Sequence, residues 1–90
     1  MELKDSVELM LSANYKDRFK AEYYQTRIRF EKLTSMLDKY QLGTLSFEPS
    51  CPIDLLEEQR KYMLQYLRCL VIRAEIEGIK LDEEVIYVKK

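Results

Sequence analysis

From Asn14 to Tyr40 the chain reads NYKDRFKAEYYQTRIRFEKLTSMLDKY, with its large side chains at Tyr15, Phe19, Tyr23, Phe30, Leu33, Leu37 and Tyr40 and with Thr26 filling the one gap. Steps of three and four residues keep to one face of an α-helix, whereas a strand would need steps of two. Tyr24, Ile28 and Met36 lie off that stripe, so more than one face of this helix has to leave water and several neighbours are needed to cover it. At about 1.5 Å per residue the helix extends on the order of 40 Å. Every other segment has to be read as something that packs on this rod.

Its ends are marked by local chemistry. Ser12 and Asn14 are both good N-cap residues, and Asp17, three after Asn14, places a carboxylate where a helix N-terminus favours negative charge. The helix is therefore expected to begin near Tyr15. Lys39 in the last turn and Gly43 beyond it predict a left-handed stop. Residues 43–51 (GTLSFEPSC) hold Gly43 and Pro49 and form a connection, with Leu45 and Phe47 expected to be pinned on the helices. Pro52 suits a first helical turn and Asp54, Glu57 and Glu58 an acidic one, so a second helix runs from there to about Glu77 and is closed by Gly78. The eleven residues from Met1 to Leu11 read as a short helix or an arm packed on a neighbour, and Val85 to Val88 in the tail as either an added strand or a frayed end.

The second helix again has two apolar faces. Leu56, Met63, Leu67, Leu70 and Ala74 form one; Leu55, Tyr62, Tyr66, Cys69 and Ile76, with Gln59 and Arg73 among them, form the other. An antiparallel pair of helices buries only the first. Ninety residues sit near the size at which one core is barely sufficient, and the leftover apolar face is too large for a monomer surface. The expected fold is all-α: an antiparallel two-helix hairpin at residues 14–79, preceded by an arm at 1–13, followed by a tail at 80–90, and assembled as a homo-oligomer.

Charge and composition narrow the chemistry. A formal net charge of -1 provides no global attraction to DNA or to a membrane surface, so any anion site must be local. No histidine occurs, which removes the commonest general base and zinc ligand, and no catalytic triad, paired-carboxylate site, phosphate loop or metal cluster can be traced. A non-enzymatic protein without cofactor or metal is expected. Cys51 and Cys69 have no CxxC spacing and no signal peptide accompanies them, so they read as small hydrophobic filler in a reducing cytoplasm.

Two features could bind a ligand. The first half of the long helix interleaves Lys16, Arg18, Lys20, Arg27, Arg29 and Lys32 with Tyr15, Phe19, Tyr23, Tyr24 and Phe30. Cations beside aromatic faces suit a phosphate-bearing base, although a solvated flank beside core aromatics gives the same pattern. Arg73, set among Tyr66, Cys69, Leu70 and Ile76, is expected to be partly desolvated and to seek a carboxylate, a carbonyl or a phosphate; an interface ion pair with Glu22 or Glu77 is the plainer alternative.

Tyr15-x-x-Arg18-x-x-x-Glu22, then Glu31-Lys32-Leu33, then Leu55-Leu56-x-x-Gln59-x-x-x-Met63-x-x-Tyr66-x-x-x-Leu70-x-x-Arg73 resembles the helical hairpin domain shared by the phage anti-CBASS cyclic-oligonucleotide sponge and the Thoeris anti-defence sponge. The resemblance covers about Asn14 to Ile79. It implies a phage protein in the host bacterial cytoplasm that forms hexamers of interlocked hairpins and captures cyclic dinucleotides and cyclic trinucleotides without cleaving them. A cyclic ADP-ribose isomer is the alternative ligand within the family, and a hairpin that only binds protein is the alternative outside it. By the same resemblance Tyr15 would stack on bases and Lys32 meet phosphate in a dinucleotide site, while Thr34 and Arg73 would line a separate trinucleotide site where subunits meet.

Overall fold

A computed structural model of the protein describes residues 2–81; the alternating run from Val85 to Val88 lies outside them. The described residues are helical, with no strand among them. A 3-10 turn, Leu3–Ser6, leads into a single α-helical turn, α1 (Val7–Met10), followed by α2 (Tyr15–Leu42) and α3 (Ile53–Glu77). Neither long helix is long and apolar enough to cross a membrane.

The predicted helix boundaries coincide with the observed ones. Asn14 is the N-cap of α2, its side-chain oxygen accepting from the Lys16 N–H at 2.9 Å. Ser12 completes the start: its hydroxyl donates to Asp17 Oδ2 at 2.8 Å and accepts from the Asn14 N–H at 3.1 Å. Gly43 and Gly78 close α2 and α3 with φ of 74° and 69°, a region that a side chain with a Cβ enters only at a cost. After Gly43 the Thr44 N–H reaches back to the Lys39 carbonyl at 2.9 Å, and after Gly78 the Ile79 N–H reaches the Ala74 carbonyl at 2.8 Å. That last turn brings Ile79 into the core.

The two long helices run in opposite directions. Asp38, late in α2, meets Arg60, early in α3, at 3.8 Å; Phe19, early in α2, lies beneath Arg73, late in α3. Between them sits a core of Phe19, Tyr23, Phe30, Leu67, Leu70, Val71 and Ala74. Most of the aromatic stripe is therefore buried as its spacing requires, while its ends, Tyr15 and Tyr40, remain exposed. Tyr24, off the stripe, is buried all the same, its ring 5.5 Å from that of Tyr23 in an edge-on pair.

The amino-terminal arm supplies the extra neighbour that α2 requires. The 3-10 turn and α1 both lie against α2, and Leu9 packs on the core. Ser6 is the anchor. It is fully buried, accepts from Gln25 Nε2 at 2.9 Å and donates to the Leu3 carbonyl at 2.7 Å, so its hydroxyl is satisfied in both roles.

Two expectations are corrected, and one of two open alternatives is decided. Phe47 is not pinned but 56% exposed, whereas Leu45 is half-buried, because residues 43–52 turn at the open end of the helical pair with no third element above them. Cys51 and Cys69 are exposed rather than filler: Cys51 lies in that connection and Cys69 on the face of α3 that points away from α2. Phe19, Tyr23, Tyr24 and Phe30 are buried in the core, so they are not faces on which a base can stack.

Candidate functional site

α3 divides its apolar residues sharply. Leu67, Leu70, Val71 and Ala74 are buried against α2, while Leu55, Tyr62, Tyr66, Ile72 and Ile76 are exposed. Leu55, Gln59, Tyr62, Tyr66, Cys69, Arg73 and Ile76 follow one another at steps of four and three, the spacing of a heptad stripe. The chain thus presents an outward stripe of aromatic and aliphatic side chains along the whole of α3, the face that the periodicity left without a neighbour.

Arg73 stands on that stripe. Its guanidinium carbon is 4.9 Å from the centre of the Phe19 ring, and its Nε donates to Glu77 Oε2 at 2.9 Å. Both contacts favour the cation, the ring through its negative face and the carboxylate through charge. The expected desolvation is not seen in the single chain: the Arg73 side chain is 53% exposed, because the outer face of α3 has no cover, and its pair with Glu77 forms within α3 rather than across an interface. Tyr15 stands in the first turn of α2, one turn before Phe19, and is half exposed. This end of the molecule therefore offers an accessible phenol ring and an accessible guanidinium over a common hydrophobic base.

Lys32 and Thr34 lie towards the other end of α2. Lys32 is exposed, and at 100° per residue it points about 160° away from Thr34. Seventeen residues separate Tyr15 from Lys32, about 25 Å along the helix, so one chain cannot bring both to one small ligand. Thr34 and Arg73 are separated likewise: Arg73 is level with Phe19, and Thr34 lies fifteen residues further along α2, about 22 Å. The structure brings together Tyr15, Phe19 and Arg73, and it leaves Lys32 and Thr34 apart from them and from each other.

Thr34 has surroundings of its own. With Phe30 it forms the floor of a groove that opens on both sides of it. One lobe, about 380 Å³, faces α3 and carries Glu57, Arg60 and Lys61; the other, about 390 Å³, follows α2 past Glu31, Ser35 and Asp38. Arg60 and Lys61 are the residues that sequence reasoning missed. Nothing in their local spacing marks them; the antiparallel register sets Arg60 opposite Asp38.

Two of the basic residues early in α2, Arg18 and Arg27, are engaged in structural roles. Arg18 donates to the Ser12 carbonyl at 2.8 Å and holds the capping turn; Arg27, with only 13% of its side chain exposed, pairs with Glu31 at 3.2 Å. The aromatic part of the pattern is mainly core, with Arg27 paired to Glu31 beside it.

The family model described as Sequestin matches residues 13–76, which takes in α2, the connection and nearly all of α3, and includes Tyr15, Lys32, Thr34 and Arg73. The name fits a sequestering protein. No curated protein and no solved structure matches the chain.

Proposed function

The chain belongs to the Sequestin family, and from that premise we propose that it is a sponge of phage origin, a homo-oligomer that binds cyclic nucleotide signals of bacterial immunity and holds them away from the host effector without cleaving them. The observation that carries this reading is the family match over residues 13–76, within which lie all four residues that the resemblance to cyclic-oligonucleotide sponges picks out. Cyclic dinucleotides and trinucleotides are the proposed ligands.

The geometry supports sites between subunits. No single chain gathers Tyr15 with Lys32 or Thr34 with Arg73, but a symmetric assembly can, since each copy delivers its residues from a different direction. The exposed stripe of α3 is the surface through which copies would meet, and a hexamer is the assembly that the resemblance implies. Covering that stripe would desolvate Arg73 and raise the value of its charge to a phosphate. Capture then follows from enclosing the ligand among preformed surfaces.

The test is isothermal titration with cyclic dinucleotides, cyclic trinucleotides and cyclic ADP-ribose isomers, after light scattering has fixed the mass of the assembly. Saturable submicromolar binding of a cyclic di- or trinucleotide, with the ligand recovered intact on denaturation, is the expected result. Binding only of a cyclic ADP-ribose isomer would move the protein to the other branch of sponges. An oligomer that takes up none of them would replace the sponge with a protein-binding helical pair, the reading that the apolar stripe alone would favour.

A further inference from the structure

The turn between the two long helices gathers one sign of charge. Residues 43–59 carry Glu48, Asp54, Glu57 and Glu58 and no lysine or arginine, in a chain whose net charge is only -1. At the same end of the molecule Leu42, Phe47 and Leu55 are exposed. Such an end gains from cover, provided that the cover is cationic.

Tyr40, Gly43, Leu45, Phe47 and Glu48 line a cleft of about 210 Å³ there. Tyr40 and Phe47 are both exposed, and neither ring meets another aromatic ring among the described residues. The Glu48 carboxylate has no ion-pair partner among the described residues. Two uncovered ring faces and an unmatched carboxylate have one complement in common, a cation, which the rings attract through their negative faces and the carboxylate through its charge. Volume limits its size. Small-molecule pockets start at about 300 Å³, so the cleft is too small for a nucleotide and matches the head of one long basic side chain. A free ion held by an exposed contact of this kind stays bound only above about 1 mM. The cation therefore has to arrive on a larger surface, one that also covers Leu42 and Leu55.

The chain carries suitable cations and cannot deliver them to its own cleft. Lys16 and Lys20, one turn apart at the start of α2, have no ion-pair partner among the described residues, whereas Arg18 and Arg27 are engaged. Twenty residues separate Lys20 from Tyr40, about 30 Å along the helix. In a second copy laid antiparallel, the basic start of α2 falls beside the cleft. Laid parallel, the two turns would meet and the four carboxylates of each would crowd together.

We infer that the cleft of Tyr40, Phe47 and Glu48 is a socket for a lysine of a second copy, supplied by Lys16 or Lys20 of an antiparallel neighbour. The socket rests on the proposed homo-oligomer, and it adds to the outward stripe of α3 a contact that fixes which way neighbouring copies run.

The test is light scattering on the full chain over a range of concentrations, with helicity followed alongside. Glu48→Lys should raise the concentration at which the assembly half dissociates about tenfold, and Phe47→Ala about fivefold. Both variants should keep native helicity, because the two side chains are exposed in the connection. Lys16→Glu/Lys20→Glu should weaken assembly to a similar degree. Combined with Glu48→Lys, the same pair should restore it to within about threefold of native, since the exchanged charges attract again. A native chain that stays monomeric, or a Glu48→Lys variant that assembles like the native chain, overturns the socket. A charge exchange that restores nothing also overturns it and leaves the cleft to a cation of some other protein. Titration with cyclic nucleotides separates the socket from the sponge. Saturable uptake by a chain whose assembly ignores Glu48→Lys keeps the sponge and removes the socket, while rescue by charge exchange in a chain that takes up no cyclic nucleotide keeps the socket and removes the sponge.

Discussion

The two halves of α2 are built from the same kinds of residue and end in different states. In the first half Phe19, Ala21, Tyr23 and Tyr24 are all buried, because α3 covers one side and the amino-terminal arm covers another. In the second half only Phe30 and Leu37 are buried, and a flank of the helix opens as the groove around Thr34. Stability is therefore concentrated where three segments meet, and the surface available for binding lies in the second half. Loosely packed regions with accessible polar groups are where a small protein can accommodate a ligand with least loss of stability.

Substitutions on either side test that contrast. The largest effect is expected from Leu70→Ala, since Leu70 is 1% exposed in the three-segment region; urea unfolding should show a loss of about 2–5 kcal/mol. Leu64→Ala, at the half-buried edge of the groove, should cost well under half as much, and equal losses would show that the halves are packed alike. Ser6→Ala removes the bonds to Gln25 and Leu3 and should cost about 1–2 kcal/mol. Hydrogen exchange should locate that loss in the arm and the facing turns of α2, not in residues 30–40. Asn14→Ala should lower stability by about 1 kcal/mol through the lost cap, read as a fall in helicity and Tm. The smallest change is expected from Asp38→Asn, whose partner is 3.8 Å away on an open surface: less than about 0.5 kcal/mol, so a large loss would mean that the groove end is held more firmly than its packing indicates.

Assembly is probed at the other face of α3. Tyr66→Lys places a charge at the middle of the exposed stripe and should lower the mass seen by light scattering while leaving helicity intact, because Tyr66 is no part of the core. A variant that keeps the native mass would rule out this stripe as the proposed contact between copies.

Much of the fold was legible because it is written in short-range chemistry. Asn14 caps α2 with its own side chain, and Gly43 and Gly78 end the helices through a backbone conformation that glycine tolerates best; none of these needs a distant residue. The stripe from Phe19 to Leu37 likewise reports its own burial through spacing. The candidate site was less legible. Tyr15 and Arg73 could be singled out by residue type, but the spacing of Thr34 does not distinguish it from Thr26, which satisfies itself on Glu22.

By itself, then, the sequence determined that this chain would be two long helices with a turn between them, where each begins and ends, and that each has more apolar surface than one partner can cover. Only the tertiary structure decided which surplus is covered and which remains outside: Tyr24 is buried, while Tyr62, Tyr66 and Ile76 stay exposed. It also decided that Arg73 rests on Phe19 and that Arg60 and Lys61 come to line the groove at Thr34. The physical reason is range. Caps, stops and periodicity act over one or two turns, whereas the pairing of faces depends on the register between helices that are distant in sequence, which the connection and the packed core set together.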